Sequence, residues 1–182
     1  VSFAAIRTIG CNLYDRLMVS TFTIRKPVAE DAAAMARLHV QSWQETYRGT
    51  VPDDVLDDAE FVARRDRMWT ALITDPRYST TIAVAERAGE LIGLASSGPS
   101  MGEHLEPALQ LYTLYVLTAH HGSGAGAALL EAVLNENPAQ LWVADPNPRA
   151  QAFYLKHGFD FDGTTQMDDG IRELRMVRSS AS

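Results

Sequence analysis

The chain has 182 residues, of which 46% are hydrophobic and 21% charged, with a single cysteine and a formal net charge of -7. That length suits one domain with a sizeable core, and the composition excludes a disordered or fibrous chain. An acidic balance without clustered Lys and Arg excludes a non-specific nucleic-acid binder and is compatible with a cationic substrate; the lone Cys11 excludes an internal disulfide framework and a cysteine-based zinc site.

Residues 1–20, VSFAAIRTIGCNLYDRLMVS, are interrupted by Arg7, Asp15 and Arg16, and so read as neither a cleavable signal nor a membrane span. No other apolar stretch reaches the length of a span, so a cytoplasmic protein without a membrane partner is expected. Met18 stands just ahead of the first clean strand. The expected layout is an N-terminal extension over 1–20, one domain over 21–178 and a short tail over 179–182.

TFTIRKP at 21–27 alternates as a strand does, and Pro27 ends it. Val28 to Arg48 follows as a helix, with Glu30 and Asp31 in its first turn, Met35, Ala36, His39, Trp43 and Tyr47 at three-and-four spacing, and Gly49 as its stop. A second helix is expected over about 57–73. STTIAVAER and ELIGLASSG around an Ala-Gly turn read as a hairpin over 79–98, and 99–107 as a loop. ALQLYTLYVL at 108–117 is the longest strand candidate. Glycines at 122, 124 and 126 lead from it into the helix AGAALLEAVLNEN, which Pro138 ends. QLWVAD is a strand, NPRAQAFYLKHGF a helix stopped by Gly158, and FDFDGTTQM with IRELRMV a final hairpin turned on Asp168-Asp169-Gly170. The fold class is α+β: a mixed sheet in which antiparallel hairpins flank one β-α-β unit.

Strand, glycines, then helix is a physical device for holding an anion. Glycines let backbone approach the ligand, and the first N–H groups of the helix face it with roughly half a positive charge, worth ~0.3–2 kcal/mol to a phosphate. A nucleoside-triphosphate loop would need Gly-Lys-Ser/Thr, whereas Gly126 is followed by Ala127 and Ala128. Gly122-x-Gly124-x-x-Ala127, with Asp145 ending the next strand, satisfies a relaxed dinucleotide pattern. Its context does not: the motif falls two-thirds of the way along the chain, with a single β-α-β unit around it. Asn147, Ala150 and Tyr154, at i, i+3 and i+7, share one helix face over about 10 Å.

TLYVLTAHHGSGAGAALLEAV followed by LWVADPNPRAQAFYLKHGF resembles the GNAT-type (Gcn5-related) N-acetyltransferase superfamily. That family's pattern is a strand, Gln/Arg-x-x-Gly-x-Gly/Ala, a helix, a strand, and Asn-x-x-Ala-x-x-x-Tyr ahead of Gly-Phe. The resemblance extends over about 21–177. It implies a six- to seven-stranded, mostly antiparallel sheet with about four helices, splayed at its central parallel pair, and acetyl-CoA (coenzyme A) as cofactor. The backbone of Leu114, Tyr115 and Val116 would pair with the pantetheine arm. The amides of Gly122, Ser123, Gly124, Ala125, Gly126 and Ala127 would hold the pyrophosphate, with His121 in place of the usual Gln or Arg, and Asn147, Ala150 and Tyr154 would face the cofactor.

The resemblance also implies direct acetyl transfer to a primary amine of a small molecule, peptide or protein. Tyr154 would be the catalytic acid for the departing thiolate, and Trp43 and Tyr47 would wall the acceptor pocket, although core packing accounts for Trp43 as well. Many relatives carry a Glu base on the strand before the elbow. Here the aligned residue is Gln110, an acceptor-side position that cannot take a proton, which leaves Glu45, Asp53 and Asp54 as alternatives. His39 reads as a satisfied core histidine, and no metal site is implied. A non-catalytic acyl-CoA sensor is the competing reading, and a homodimer through edge strands or residues 1–20 is left open.

Overall fold

A computed structural model describes residues 22–78, 80–168 and 170–180. The expected extension over 1–20, with Cys11 and Met18, lies outside the described residues, as does Asp169 in the last turn. The first strand, β1, is shorter than its alternation suggested, Thr23–Arg25. The Arg25 guanidinium clamps Asp31 at 2.6 and 2.9 Å, which holds a 3-10 turn at Ala29–Asp31 ahead of helix α1, Ala32–Tyr47. Gly49, at φ 84°, ends α1. The second helix expected over about 57–73 is α3, Ala59–Thr74, and the acidic stretch before it holds one further turn of helix, α2, Asp53–Leu56. Asp58 divides them, because its carboxylate accepts the Glu60 amide at 2.9 Å and starts a new helix.

Strands β2 (Thr81–Arg87) and β3 (Glu90–Pro99) turn on Ala88 and Gly89, both at positive φ, the twist that a two-residue hairpin loop requires. Then come β4 (Leu109–Val116), α4 (Ala125–Leu134), β5 (Ala139–Ala144), α5 (Pro148–Lys156), β6 (Asp160–Asp168) and β7 (Ile171–Arg178). They form one seven-stranded sheet in the order β1-β2-β3-β4-β5-β7-β6, in which only β4 and β5 are parallel among the described strands. One face buries Leu129, Leu130 and Leu134 of α4 with Leu141 and Met176. The other buries Met35 and Leu38 of α1 with Trp69 of α3 and Val84 and Leu94.

β4 and β5 pair only at Gln110 with Gln140 and Leu111 with Leu141, then separate. The separation begins at a β-bulge: Ser96 faces Thr113 but Ser97 faces Leu111, so Tyr112 is an extra residue that bends β4. The Tyr112 ring crosses Gly98, where a Cβ would stand 2.7 Å from the phenol oxygen, and its hydroxyl donates to the Pro99 carbonyl at 2.5 Å. The bulge also resets the alternation, so that Leu111, Leu114 and Val116 all face the α4 side while Tyr115 turns to α1. At the joined end the strands are braced. Arg175 donates to Gln140 at 2.6 Å, to Asp162 at 2.7 Å and to the Glu106 carbonyl, and Gln140 in turn donates to the His104 carbonyl.

His39 is buried as expected, yet neither ring nitrogen has a hydrogen-bond partner among the described residues. Burial, helped by the Arg65 charge, drives its pKa from 6.5 down to about 3. Below pH 6.5 the unfolded chain binds a proton that the folded chain refuses, so stability falls between pH 6.5 and 3, by up to about 1.4 kcal/mol per pH unit. The His39→Leu variant lacks this penalty. Its unfolding free energy relative to the unsubstituted protein should therefore rise by about 2–3 kcal/mol from pH 7 to pH 4 in denaturant titrations. A pH-independent difference would refute the assignment.

Candidate active site

The splay opens into a cavity of about 750 Å³ bounded by the end of α1, the glycine elbow and α5. What β4 offers this cavity follows from its ladder with β3. The Leu117 amide donates to the Ile92 carbonyl at 3.0 Å, and antiparallel pairs alternate between bonded and non-bonded, so Tyr115 is bonded to β3 opposite Leu94. Leu114 and Val116 fall on the non-bonded positions, and their N–H and C=O groups point into the splay. This corrects the expectation for Tyr115, whose backbone belongs to the sheet. Its side chain is what matters: the hydroxyl accepts from Trp43 Nε1 at 2.9 Å.

At the elbow, Gly122 and Gly124 take φ of 79° and 89°, a conformation that costs other residues roughly 1–2 kcal/mol, and α4 begins at Ala125. The first intrahelical bond runs from the Ala128 amide to the Gly124 carbonyl at 3.1 Å. The amides of Gly124, Gly126 and Ala127 therefore have no partner within the helix and face the cavity mouth. Ser123 and Ala125 depart from the expectation, because their amides are taken up within the turn: the Ser123 amide at 3.3 Å and hydroxyl at 2.7 Å both donate to the His120 carbonyl, and the hydroxyl accepts the Ala125 amide at 3.3 Å. His121 is exposed, and its Nε2 donates to the Val116 carbonyl at 2.9 Å, occupying one of that oxygen's two lone pairs. Arg149 and Lys156 of α5 line the cavity as well.

Asn147 caps α5: its side-chain oxygen accepts the Ala150 amide at 3.1 Å, which leaves the side-chain NH2 as the group able to meet a ligand. Ala150, half-buried, keeps that face of the helix low. Tyr154 is 8% exposed and lines the cavity. Burial, followed by the neighbouring phenols of Tyr115 and Tyr47, pushes its pKa well above 10, so it stays protonated across the neutral range.

Beyond Tyr154 the cavity is walled by Trp43 and Tyr47, with ring centroids 5.1 Å apart. Burial raises the Tyr47 pKa to about 12, with Tyr115 and Glu173 adding to it. Gln110 is not part of this wall, which corrects its expected acceptor-side place: its side chain accepts the Met101 amide at 3.1 Å and so pins the loop after β3. Of the three candidate bases Glu45 alone lines the cavity, and its carboxylate already accepts from the Thr118 amide and the Gln41 side chain. Burial opposes ionisation of Glu45, but the Thr118 amide at 2.9 Å, the Gln41 side chain and nearby His121 outweigh it and lower its pKa. Asp53 pairs with Arg48 at 2.9 Å, and neither it nor Asp54 lines the cavity. The carboxylate that does reach the aromatic end is Glu173 of β7. Its alternation within IRELRMV was visible in the sequence, but not that β7 lies beside β5.

A splayed parallel pair with a helix start on one side and a protonated phenol inside makes a cavity fit for a long anionic ligand beside a hydrogen-bond donor. A family model described as an acetyltransferase (GNAT) domain matches residues 47–180. Over 133 residues, covering 69% of this chain and 73% of the relative, the sequence is 32% identical to the uncharacterized N-acetyltransferase YuaI of Bacillus subtilis. The uncharacterized N-acetyltransferase Mb2688 of Mycobacterium bovis is 37% identical over 98 residues, 50% of this chain and 59% of that one. Among solved structures, the paia N-acetyltransferase of Thermoplasma acidophilum in complex with coenzyme A superposes with a TM-score of 0.68 at 19% identity, covering 87% of this chain and 98% of that one.

The chain belongs to the GNAT acetyltransferase family. Acetyl-CoA is its acyl donor, and N-acetyltransfer is the reaction of its class. Among the described residues no helix is long and apolar enough to cross a membrane.

The elbow gives a direct check. A Cβ at Gly124 meets nothing within 4 Å, so Gly124→Val fails on conformation and on approach to the amides rather than on internal packing. Coenzyme A affinity by calorimetry should fall at least tenfold, with a loss of about 1–2 kcal/mol in stability.

Proposed function

We propose that the protein transfers the acetyl group of acetyl-CoA directly to the primary amine of a small molecule, peptide or protein. The observation that carries this reading is the single cavity onto which the unpaired edge of β4, the start of α4 and the Tyr154 phenol all open. The outward N–H and C=O of Leu114 and the remaining lone pair of the Val116 carbonyl suit the amides of a pantetheine arm. The amides of Gly124, Gly126 and Ala127 and the Asn147 side-chain NH2 suit its diphosphate. Acetyl-CoA supplies a thioester carbonyl open to attack and a thiolate leaving group.

In this reading Tyr154 donates its O–H to the departing sulfur. With a pKa above that of a thiol, near 8.5, the phenol stabilises the thiolate by hydrogen bonding more than by outright proton loss. Trp43 and Tyr47 form the apolar wall against which the acceptor lies. A sensor that only binds acyl-CoA has no use for a protonated phenol held inside the cavity, and is not favoured.

Thiol release from acetyl-CoA over a panel of primary amines tests the reaction. Tyr154→Phe should lower kcat at least tenfold while the coenzyme A Kd stays within twofold. An unchanged kcat would remove Tyr154 from the mechanism.

A further inference from the structure

Resting on the acyl-transfer reading above, we propose that Glu173 is the residue that receives the acceptor: its carboxylate holds the acceptor ammonium beside Tyr47 and takes up a proton as the amine attacks. Three placements support it. Glu173 stands opposite Ala144, the last residue of β5, and so at the open end of the splay. Its neighbour Leu174, with Met176 beyond, packs on the α4 side of the sheet, so alternation puts Glu173 on the other face, the one that Tyr115 shares with α1. Gln166, its cross-strand partner on β6, donates to its carboxylate at 2.8 Å and orients it. Its charge reaches both the Tyr47 and the Tyr115 phenols and helps keep them neutral.

The cavity wall carries Arg149 and Lys156 from α5 and, against them, Glu45 from α1, Asp168 from the end of β6 and Glu173, whose charge reaches Tyr47. An acceptor that is a cation is drawn in, and one with a carboxylate next to its amine is repelled. The substrate class is therefore a primary alkyl ammonium without an adjacent carboxylate.

Proton balance fixes what Glu173 does. A carboxylate is about six pH units too weak a base to deprotonate a free ammonium outright, so before attack it acts through ion pairing. Only the small neutral fraction of the ion-paired amine has a lone pair to attack with, so one proton leaves nitrogen first; the second leaves it as the C–N bond forms and the C–S bond breaks. One ends on the sulfur, which keeps the bonding pair, and the other leaves to solvent through Glu173.

The test compares the unsubstituted protein with Glu173→Gln and Glu173→Asp at saturating acetyl-CoA, using butylamine, a lysine-containing peptide with a blocked N-terminus and amide C-terminus, and free alanine. In Glu173→Gln, kcat/KM for the first two should fall at least tenfold, mostly through KM. Glu173→Asp should recover part of the loss, and the KM for acetyl-CoA and the Tm should hold. The unsubstituted protein should disfavour alanine. Undiminished turnover of butylamine and the peptide by Glu173→Gln overturns the assignment while leaving the acetyltransferase reading intact, as does a loss matched by an equal fall in acetyl-CoA affinity or in Tm. Failure of the unsubstituted protein to acetylate any of the three overturns both.

Discussion

The structure depends on a backbone constraint: two parallel strands that begin as hydrogen-bonded neighbours are forced apart before they end. Every buried amide and carbonyl needs a partner, so a strand that leaves its neighbour must be satisfied in another way. β4 does this on one edge through β3, and on the other it presents Leu114 and Val116 to a cavity. The bulge at Tyr112 makes the departure, and the ring of that residue, laid across Gly98, keeps the bend in place. The joined end is held shut by Arg175 and Gln140, whose bonds tie β5, β7, β6 and the loop before β4 to one another. Opening at one end and bracing at the other are the two halves of the same arrangement.

Charge lines the same cavity. The start of α4 contributes the partial positive charge of a helix N-terminus, and Arg149 and Lys156 extend it along α5. The same cavity wall carries the carboxylates of Glu45, Asp168 and Glu173. It also carries three phenols, Tyr47, Tyr115 and Tyr154, whose pKa values are all raised, first of all by burial. This part of the wall is thus neutral but rich in O–H groups, a setting in which a polarised carbonyl and a leaving sulfur are met by hydrogen bonds rather than by fixed charge. His121, where the family usually carries Gln or Arg, sits at the cofactor end and bonds to the backbone of β4, so it ties the elbow to the strand.

Much of this was legible in the chain. The order of elements follows from period and punctuation: alternation in the strands, three-and-four spacing in α1, and glycines and prolines where a turn, helix start or helix end needs them. The spacing of Asn147, Ala150 and Tyr154 placed a cap, a small residue and a phenol on one helix, because helical geometry is local. The misses share a different character. Gln110 was placed by alignment with a catalytic position, but the loop after β3 folds over it and takes its side-chain oxygen. Tyr115 was expected to offer backbone, yet the ladder phase leaves only its neighbours to do so. His39 was expected to be satisfied, and its ring nitrogens instead lie among Trp43, Phe61 and Trp69.

By itself, then, the sequence determined the local devices: the phosphate-binding elbow, the capped helix bearing Tyr154, the aromatic face of α1 and the single β-α-β unit. Those depend on residues a few positions apart, whose geometry the backbone periods set. Only the tertiary structure decided which of the chain's acids faces the chemistry. The last strand inserts between β5 and β6, and the bulge in β4 resets its faces; together these bring Glu173 to the open end of the splay, into a cavity that Glu45 also lines and that Asp53 and Asp54 do not. Strand order and register join residues far apart in the chain, and no local pattern encodes them.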